Sequence, residues 1–410
     1  MNLQIVPVRQ QVATDRVTDV AAEVRAGLRR LGLETRVRPG MRIAVAVGSR
    51  GISCLPEVVR TTLQELQALH VEAFLVPAMG SHGGGTAEGQ REVLEGYGLG
   101  PKTLGVPILS SMEAIQIGVT PEGMDVYFDR HVAGADGVIV INRIKEHTAF
   151  RGSVESGLCK ILAVGLGKAR GAAEIHNWDV RDAMPATARF ILAHMPVLGG
   201  IGIVENGNHE PARIAVLPAD RFEQDEPVLL DLARRLAPKI PLEPLDLLVI
   251  QEMGKDISGT GMDLNVIGMW RRTGGPVSPQ FRTIATLDLT VNSHGNAIGV
   301  GHADLIPERL RAKIDVAATY IHCLTSHNLA GAKLPITLPN DRAVIEAGLT
   351  GVSTDRARLV WVKNTLTLGT LWVSEPLLEA VHAHPLLETI GPARPLAFDA
   401  DGALIPPSLD

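Results

Sequence analysis

Short apolar, β-branched segments alternate with longer amphipathic segments along this chain. The strand-like segments are residues 42–47, 72–77, 137–141, 200–204 and 245–250. A helical pattern at residues 55–69 follows the first strand, and a second helical pattern, ending at Glu95, follows the next strand. This alternation is typical of βαβ units, in which helices connect parallel strands. The pattern therefore predicts an α/β fold with mainly parallel sheets.

A proline-rich segment marks the predicted domain boundary. Pro238, Pro241 and Pro244 lie within seven residues, and prolines at this density prevent a helix or a central strand from continuing. A chain of 410 residues is also long enough for two domains with separate cores. We expect two Rossmann-like domains, at residues 1–240 and 245–385, with an active-site cleft between them. Residues 386–410 form a proline-rich tail that can pack back on either domain, the N-terminal domain included.

Charge and cysteine content exclude several classes of function. The net charge of −6 includes no basic block, so a nucleic-acid partner is not expected. The three cysteines, Cys54, Cys159 and Cys323, form no CxxC pair, which argues against a disulfide framework or a thiolate zinc site. No apolar run approaches the roughly 18 residues of a membrane span, and the start does not resemble a signal peptide. We predict a cytoplasmic protein with a small-molecule partner, and the oligomeric state stays open.

Polar clusters follow two of the predicted strands. The strand at 42–47 ends in Gly48-Ser49-Arg50, and the strand at 72–77 is followed by Gly80-Ser81-His82. Thr86 is the predicted N-cap of the helix that ends at Glu95. Open α/β sheets bind their ligands at the carboxyl ends of their strands. Arg50 and His82 are therefore candidate site residues.

The segment from residue 142 to residue 177 contains the highest density of chemically reactive residues. It includes His147, the run Ser156-Gly157-Leu158-Cys159-Lys160, and His176. Lys160 has apolar neighbours in the sequence, and an apolar setting makes a lysine less cationic and more nucleophilic. We interpret this segment as the centre of a functional site.

The order and spacing of these motifs resemble the nickel-dependent lactate racemase family. The likeness includes the Arg50 turn, the Gly-Ser-His turn at His82, the second histidine at His147, and the serine-to-lysine run ending at Lys160. His176 follows Lys160 by 16 residues, as in that family. Two differences lie in the same segment: Leu158 replaces a glycine of the family pattern, and the stretch from His147 to Lys160 is about three residues longer. These differences alter the expected pocket shape and hence the substrate.

The resemblance implies a nickel-pincer nucleotide as cofactor. This group is a pyridinium mononucleotide joined to Lys160 through a thioamide, beside Ser156 and Gly157, with nickel in a sulfur, carbon, sulfur pincer. His176 supplies the remaining nickel ligand, and a nitrogen and sulfur donor set suits square-planar Ni(II). A neighbouring side chain should fix the tautomer of the His176 ring, with Glu174 and Asn177 both open. Separate biosynthetic enzymes would load the cofactor.

The resemblance also implies racemisation or epimerisation of a 2-hydroxy acid. His82 and His147 are the candidate bases for the two faces of the substrate, because an imidazole accepts and returns protons near neutral pH. Arg50 is expected to bind the substrate carboxylate as a bidentate fork, assisted by Lys255 from the second domain. Arg151 is a candidate for a second carboxylate or for hydroxyl groups of a larger substrate.

Two other classes of function stay open. A nicotinamide-dependent oxidoreductase would need a GxGxxG turn followed by an acidic residue about 20 positions later, and the sequence lacks both. A non-catalytic protein that binds a hydroxy acid or a cofactor is disfavoured by the histidines and Lys160. The run Gly165-Leu166-Gly167-Lys168 lacks P-loop spacing, although its backbone can still bind a phosphate. His294, His322 and His327 are expected to line the pocket or to lie in polar loops.

Overall fold

The computed structural model describes residues 3–48 and 51–406. The strands are β1 (Gln4–Gln10), β2 (Arg42–Val47), β3 (Glu72–Pro77), β4 (Ala114–Val119), β5 (Asp125–Asp129), β6 (Gly137–Arg143), β7 (Val197–Glu205), β8 (Pro211–Pro218), β9 (Leu245–Ile250), β10 (Phe281–Thr286), β11 (Leu305–Pro307), β12 (Ile336–Leu338), β13 (Leu359–Val362), β14 (Thr370–Ser374), β15 (Leu387–Thr389) and β16 (Arg394–Pro395). The helices are α1 (Val20–Leu31), α2 (Leu33–Arg36), α3 (Leu55–Ala68), α4 (Ala87–Gly96), α5 (Pro101–Leu104), α6 (Arg130–Ala133), α7 (Leu158–Lys160), α8 (Lys168–His176), α9 (Val180–His194), α10 (Phe222–Leu236), α11 (Leu264–Ile267), α12 (Trp270–Thr273), α13 (Glu308–Ala312), α14 (Val316–Thr325), α15 (Asp341–Gly348) and α16 (Leu378–Ala383).

The chain forms two compact units. The N-terminal unit is Ala13–Ala237, and the C-terminal unit is Met1–Val12 together with Pro238–Asp410. The division near Pro238 lies in the irregular segment between α10 and β9, where the prolines prevent regular structure. The sequence-based division placed the first residues of the chain with the N-terminal domain, whereas the structure places them with the C-terminal unit.

The sheet of the N-terminal unit is mainly parallel and is buried on both faces. Its strand order is β3-β2-β6-β7-β8, with β8 antiparallel to β7. Ala44 and Val140 pack in the core on one face, while Val45 and Ile139 pack in the core on the other. Helices cover both faces, so these strands consist of nearly continuous apolar runs.

The carboxyl ends of β2, β3 and β6 meet at one edge of this sheet because the three strands are parallel neighbours. The turn after β2 begins at Gly48, the turn after β3 contains His82, and the loop after β6 contains His147. The sheet therefore brings the first two polar turns and the histidine-rich segment to the same edge.

The sheet of the C-terminal unit combines parallel and antiparallel strands in the order β12-β11-β10-β9-β13-β14-β1-β15, with β16 also pairing with β1. The pairs from β12 to β13 are parallel, and β14, β1, β15 and β16 add antiparallel pairs. The tail strands β15 and β16 pair with β1. The structure thus places this part of the tail in the C-terminal unit, rather than on the N-terminal domain.

The α/β fold with mainly parallel sheets is confirmed. The strands predicted at 42–47, 72–77 and 245–250 have those bounds in the structure, and β6 and β7 extend the two remaining predictions. Thr86 caps α4 as predicted, since its hydroxyl accepts the Gly89 N–H at 3.0 Å. In the described part of the chain, no helix is long and apolar enough to span a bilayer.

Candidate active site

The end of β2 lies against the end of β6 and the segment that follows Lys160. A Cβ atom added to Gly48 would lie 2.4 Å from Asn142 Oδ1 and 3.3 Å from Ile161 Cδ1, so this close approach requires glycine. Asn142 in turn donates from Nδ2 to the Gly157 carbonyl at 3.0 Å. The predicted carboxylate-binding residue, Arg50, lies outside the described residues.

The turn after β3 places His82 at the exposed surface of the sheet edge. The Gly80 N–H donates to the Gly165 carbonyl at 3.1 Å, which ties this turn to the segment that follows Lys160. Gly80 has a φ of +59°, and a Cβ there would lie 3.3 Å from the Val164 carbonyl oxygen. Glycine therefore meets both the backbone conformation and the close contact.

His147 is half-buried in the loop after β6. The loop is closed at its base by paired backbone hydrogen bonds between Lys145 and Ser156, at 2.9 and 3.2 Å. The His147 ring packs on Phe150 with 4.5 Å between centroids, and its Nδ1 accepts the Ala149 N–H at 3.1 Å. Because Nδ1 is an acceptor, the neutral ring carries its proton on Nε2.

A fully buried carboxylate, Glu155, organises the His147 loop from inside. It accepts the His147 N–H at 2.5 Å and the Gly152 N–H at 3.2 Å, and Arg234 of α10 donates to it at 2.7 Å. Arg151 lies 3.3 Å from Glu146 and 3.7 Å from Glu155. The predicted role of Arg151 in binding a larger substrate stays a prediction, and the structure shows its charge paired within the loop.

Lys160 ends α7 and is half-buried, with its Nζ 3.5 Å from Ser156 Oγ. Its neighbours Cys159, Ile161 and Leu162 are buried in the core, as their apolar character predicts. A π-helical turn, Ile161–Gly165, follows directly; such turns are rare and occur often at functional sites.

Glu226 of α10 lies beneath the Lys160 turn, and the sequence analysis missed it. Its side chain is fully buried and accepts the Cys159 N–H at 2.9 Å, while Oε1 has no hydrogen-bond partner. Burial raises the pKa of the Glu226 carboxyl to about 7, although the hydrogen bonds from Cys159 and Leu158 oppose the rise. A signal was present: Glu226 interrupts the apolar stripe of α10 formed by Phe222 and Leu230.

Glycine is required at position 157 because the Glu226 carboxylate lies where a Cβ atom would be. A Cβ at Gly157 would lie 1.9 Å from Oε1 of the fully buried Glu226. We expect Gly157→Ala to destabilise the N-terminal unit by about 1–3 kcal/mol through overpacking, measured by urea unfolding.

Gly96, at the end of α4, is the matched control because a Cβ there meets nothing within 4 Å. Gly96→Ala should be neutral or slightly stabilising, since alanine is the better helix former. Equal tolerance of both substitutions would contradict the assigned clash. Adding Glu226→Asp to Gly157→Ala should recover stability, because the shorter side chain withdraws the carboxylate.

Lys168 is a second buried group that the sequence analysis missed. Its side chain is fully buried, 3.2 Å from the equally buried Asp129 and 3.2 Å from Gln90 Oε1. Gln90 Nε2 donates to the carbonyls of Gly80 and His82, at 2.8 and 3.2 Å. Burial lowers the pKa of Lys168, and Asp129 opposes that shift. Lys168 thus supports the His82 turn from inside.

His176 is the last residue of α8 and is half-buried. The structure shows where the two proposed neighbours point: Glu174 accepts Trp178 Nε1–H at 2.9 Å, and Asn177 Nδ2 donates to Glu174 at 3.4 Å. These contacts assign neither Glu174 nor Asn177 to the His176 ring. The nickel-ligand role of His176 stays a prediction.

The remaining candidates lie in the C-terminal unit. Lys255 follows β9, and its backbone N–H donates to Ser293 Oγ at 2.9 Å. His294 and His327 have positive φ angles of 47° and 49°, typical of polar loop residues. His322 Nδ1 lies 2.7 Å from Asn296 Nδ2.

Protein side chains alone provide no complete metal site in residues 3–48 and 51–406. No group of three or more His, Cys, Asp or Glu side chains there could hold a metal ion. A metal bound through a single imidazole of this region would need its other ligands from a cofactor.

Neither a family model nor a curated protein sequence matches the chain. Among solved structures, it is similar to the lactate racemase apoprotein from Thermoanaerobacterium thermosaccharolyticum, with a TM-score of 0.54 and 10% identity over 90% of this chain and 99% of that one. At this identity the similarity shows the fold, so this chain has an α/β fold like that of a lactate racemase apoprotein.

Proposed function

We propose that this protein is a racemase or epimerase of a 2-hydroxy acid that uses a nickel-pincer nucleotide on Lys160. The observation that carries the proposal is the joining of three motifs at one sheet edge. The His82 turn is hydrogen-bonded to Gly165, five residues after Lys160, and the His147 loop is closed on Ser156, four residues before Lys160. The fold, similar to that of a lactate racemase apoprotein, supports the same function.

The residues present fit the proposed cofactor. Lys160 is a half-buried amine whose neighbours in the chain are buried apolar residues, and an amine is the nucleophile needed for a covalent bond. Ser156 and Gly157 lie beside it, and His176 would be the protein ligand of nickel. A donor set of one imidazole fits a cofactor that brings its own sulfur and carbon ligands. When bound, this group would take a hydride from the substrate carbinol carbon and return it.

The two histidines have different starting roles in this proposal. The Ala149 N–H holds the neutral His147 ring with its proton on Nε2, so His147 starts as a hydrogen-bond donor to a substrate oxygen. His82 is exposed, and its ring can start as the acceptor of the hydroxyl proton. We propose that Arg50 and Lys255 bind the substrate carboxylate.

Peptide mass spectrometry and nickel analysis test this function. The protein should be produced together with enzymes that make the nickel-pincer nucleotide. We expect a mass adduct on the Lys160 peptide and nickel bound to the chain, both lost in Lys160→Ala. His176→Ala should keep the adduct and lose nickel, because it removes only the proposed metal ligand.

Lys145→Ala is the matched control, since Lys145 is also half-buried in the same unit and its backbone bonds Ser156. It should retain both the adduct and the nickel. Absence of an adduct and of nickel from the wild-type protein under these conditions would overturn the proposal and favour a binding protein.

A further inference from the structure

Two consecutive arginines of α12 in the C-terminal unit have different surroundings. Arg271 donates to both carboxylate oxygens of Asp304 at 3.1 Å, and also to the carbonyls of His302 and Phe281. Arg272 donates once, from Nη2 to the Ser326 carbonyl at 3.2 Å. In the described part of the chain, no carboxylate lies within 4.0 Å of Arg272. Arg271 is therefore neutralised within the fold, and Arg272 is not.

The Arg272 guanidinium retains unused hydrogen-bond donors. A guanidinium has five N–H groups, and Ser326, the C-cap of α14, uses one of them. The residue is half-buried, and burial lowers the pKa of its guanidinium. Its other nitrogens are still reached by solvent. A partly desolvated cation with open donors is suited to a carboxylate or phosphate, which it can bind through a bidentate fork.

The buried ring of His302, near Arg272, provides a further hydrogen-bond donor that has no partner. Asn328 Oδ1 accepts the Gly331 N–H, so its Nδ2 faces His302 Nε2 at 3.4 Å. Nε2 is then the acceptor and Nδ1 carries the proton, but Nδ1 is buried without a partner. Burial, together with the charge of Arg272, lowers the pKa of His302 to about 4. The neutral ring therefore offers an N–H and no negative charge.

We propose that the C-terminal unit binds a small oxyanion at Arg272, with the nearby His302 Nδ1–H as a further donor. The ligand presents two oxygens to the guanidinium fork, as a carboxylate or a phosphate group does. The site lies within one unit and does not depend on the proposed racemase activity.

Isothermal titration of the full-length protein with potassium phosphate, and separately with sodium malonate, tests this site. Ionic strength is held constant with chloride, so that general screening does not contribute. We expect binding of at least one anion at one site per chain. Arg272→Met should weaken this binding by about tenfold or more, because it removes charge-assisted hydrogen bonds. Stronger binding of phosphate identifies a phosphate site, and stronger binding of malonate identifies a carboxylate site.

Two further variants make the result specific. Arg272→Lys keeps the charge and loses the fork, so it should bind the anion with intermediate affinity; it also tests the site if Arg272→Met does not fold. Arg358→Met is the matched control, since Arg358 also bonds a single carbonyl, that of Pro244, at a more exposed position, and it should bind like the wild type. Absence of binding to the wild type, or wild-type affinity in the Arg272 variants, would overturn the proposal.

Discussion

Replacing Lys168 with methionine is expected to destabilise the N-terminal unit by about 3–5 kcal/mol, the usual cost of leaving a buried charge unpaired. Lys168 and Asp129 are both fully buried and lie 3.2 Å apart. Methionine keeps the length and apolar stem of the side chain, but it removes the ammonium group that compensates Asp129. Urea unfolding followed by hydrogen-exchange mass spectrometry measures the loss, with peptides of the C-terminal unit as an internal reference.

The double variant Lys168→Met/Asp129→Asn separates charge from packing. Asp129 Oδ1 also caps α6 by accepting the N–H groups of His131 and Val132 at 2.8 and 3.1 Å, and asparagine keeps that acceptor. The double variant should recover most of the lost stability, because the buried pair is then neutral on both sides. If it is as unstable as the single variant, the loss comes from packing and the charge argument is wrong.

The same substitution should loosen the His82 turn. Lys168 holds Gln90 Oε1, and Gln90 Nε2 holds the carbonyls of Gly80 and His82. Without the ammonium group, the Gln90 amide loses the contact that fixes its orientation. Exchange should therefore be faster in the peptide covering residues 79–90, even under conditions where the unit stays folded.

The sequence predicts the parallel strands well and the arrangement of the termini poorly. Strands β2, β3 and β9 have their predicted bounds, because strands buried on both faces produce continuous apolar runs that local pattern detects. Strand β1 pairs with β14, β15 and β16, more than 350 residues away along the chain. No local pattern encodes such pairing, and so the sequence analysis placed the first residues with the wrong unit and left the packing of the tail open.

The same distinction applies to the candidate site. His82 and His147 are predictable because each follows a parallel strand, and parallel neighbours end at one edge of the sheet. Lys168 looks like part of a glycine-rich phosphate loop in the sequence, yet its side chain points into the core. Glu226 lies on a helix about 66 residues beyond Lys160. Tertiary contacts alone determine that these two charged groups are buried.

Helix α10 has a role at the site that its amphipathic pattern does not reveal. Glu226 accepts the Cys159 N–H beneath the Lys160 turn, and Arg234, two turns later, donates to Glu155 inside the His147 loop. One rigid helix thus positions both the lysine and the second histidine. Charged groups held by such a helix keep neighbouring loops in a fixed arrangement, which a preorganised site requires.

Glu226 should make the N-terminal unit less stable as the pH rises. Burial raises the pKa of the folded-state carboxyl from 4.5 to about 7, so between these values the folded protein binds more protons than the unfolded chain. The stabilising contribution is complete below pH 4.5 and is lost as the pH rises through about 7. A difference of this size corresponds to about 3 kcal/mol.

Glutamine at position 226 removes the titration and keeps an acceptor for the Cys159 N–H. The stability of Glu226→Gln relative to wild type should therefore rise by about 3 kcal/mol between pH 4.5 and about pH 8, measured by urea unfolding across that range.

Glu223 of the same helix is the control: it is exposed, and Arg189 lowers the pKa of its carboxyl. Glu223→Gln should show a weak trend of the opposite sign, because an ionised Glu223 contributes stability that is lost as the pH falls. Parallel stability curves for wild type and Glu226→Gln would show that the buried carboxyl ionises without cost, contrary to this prediction.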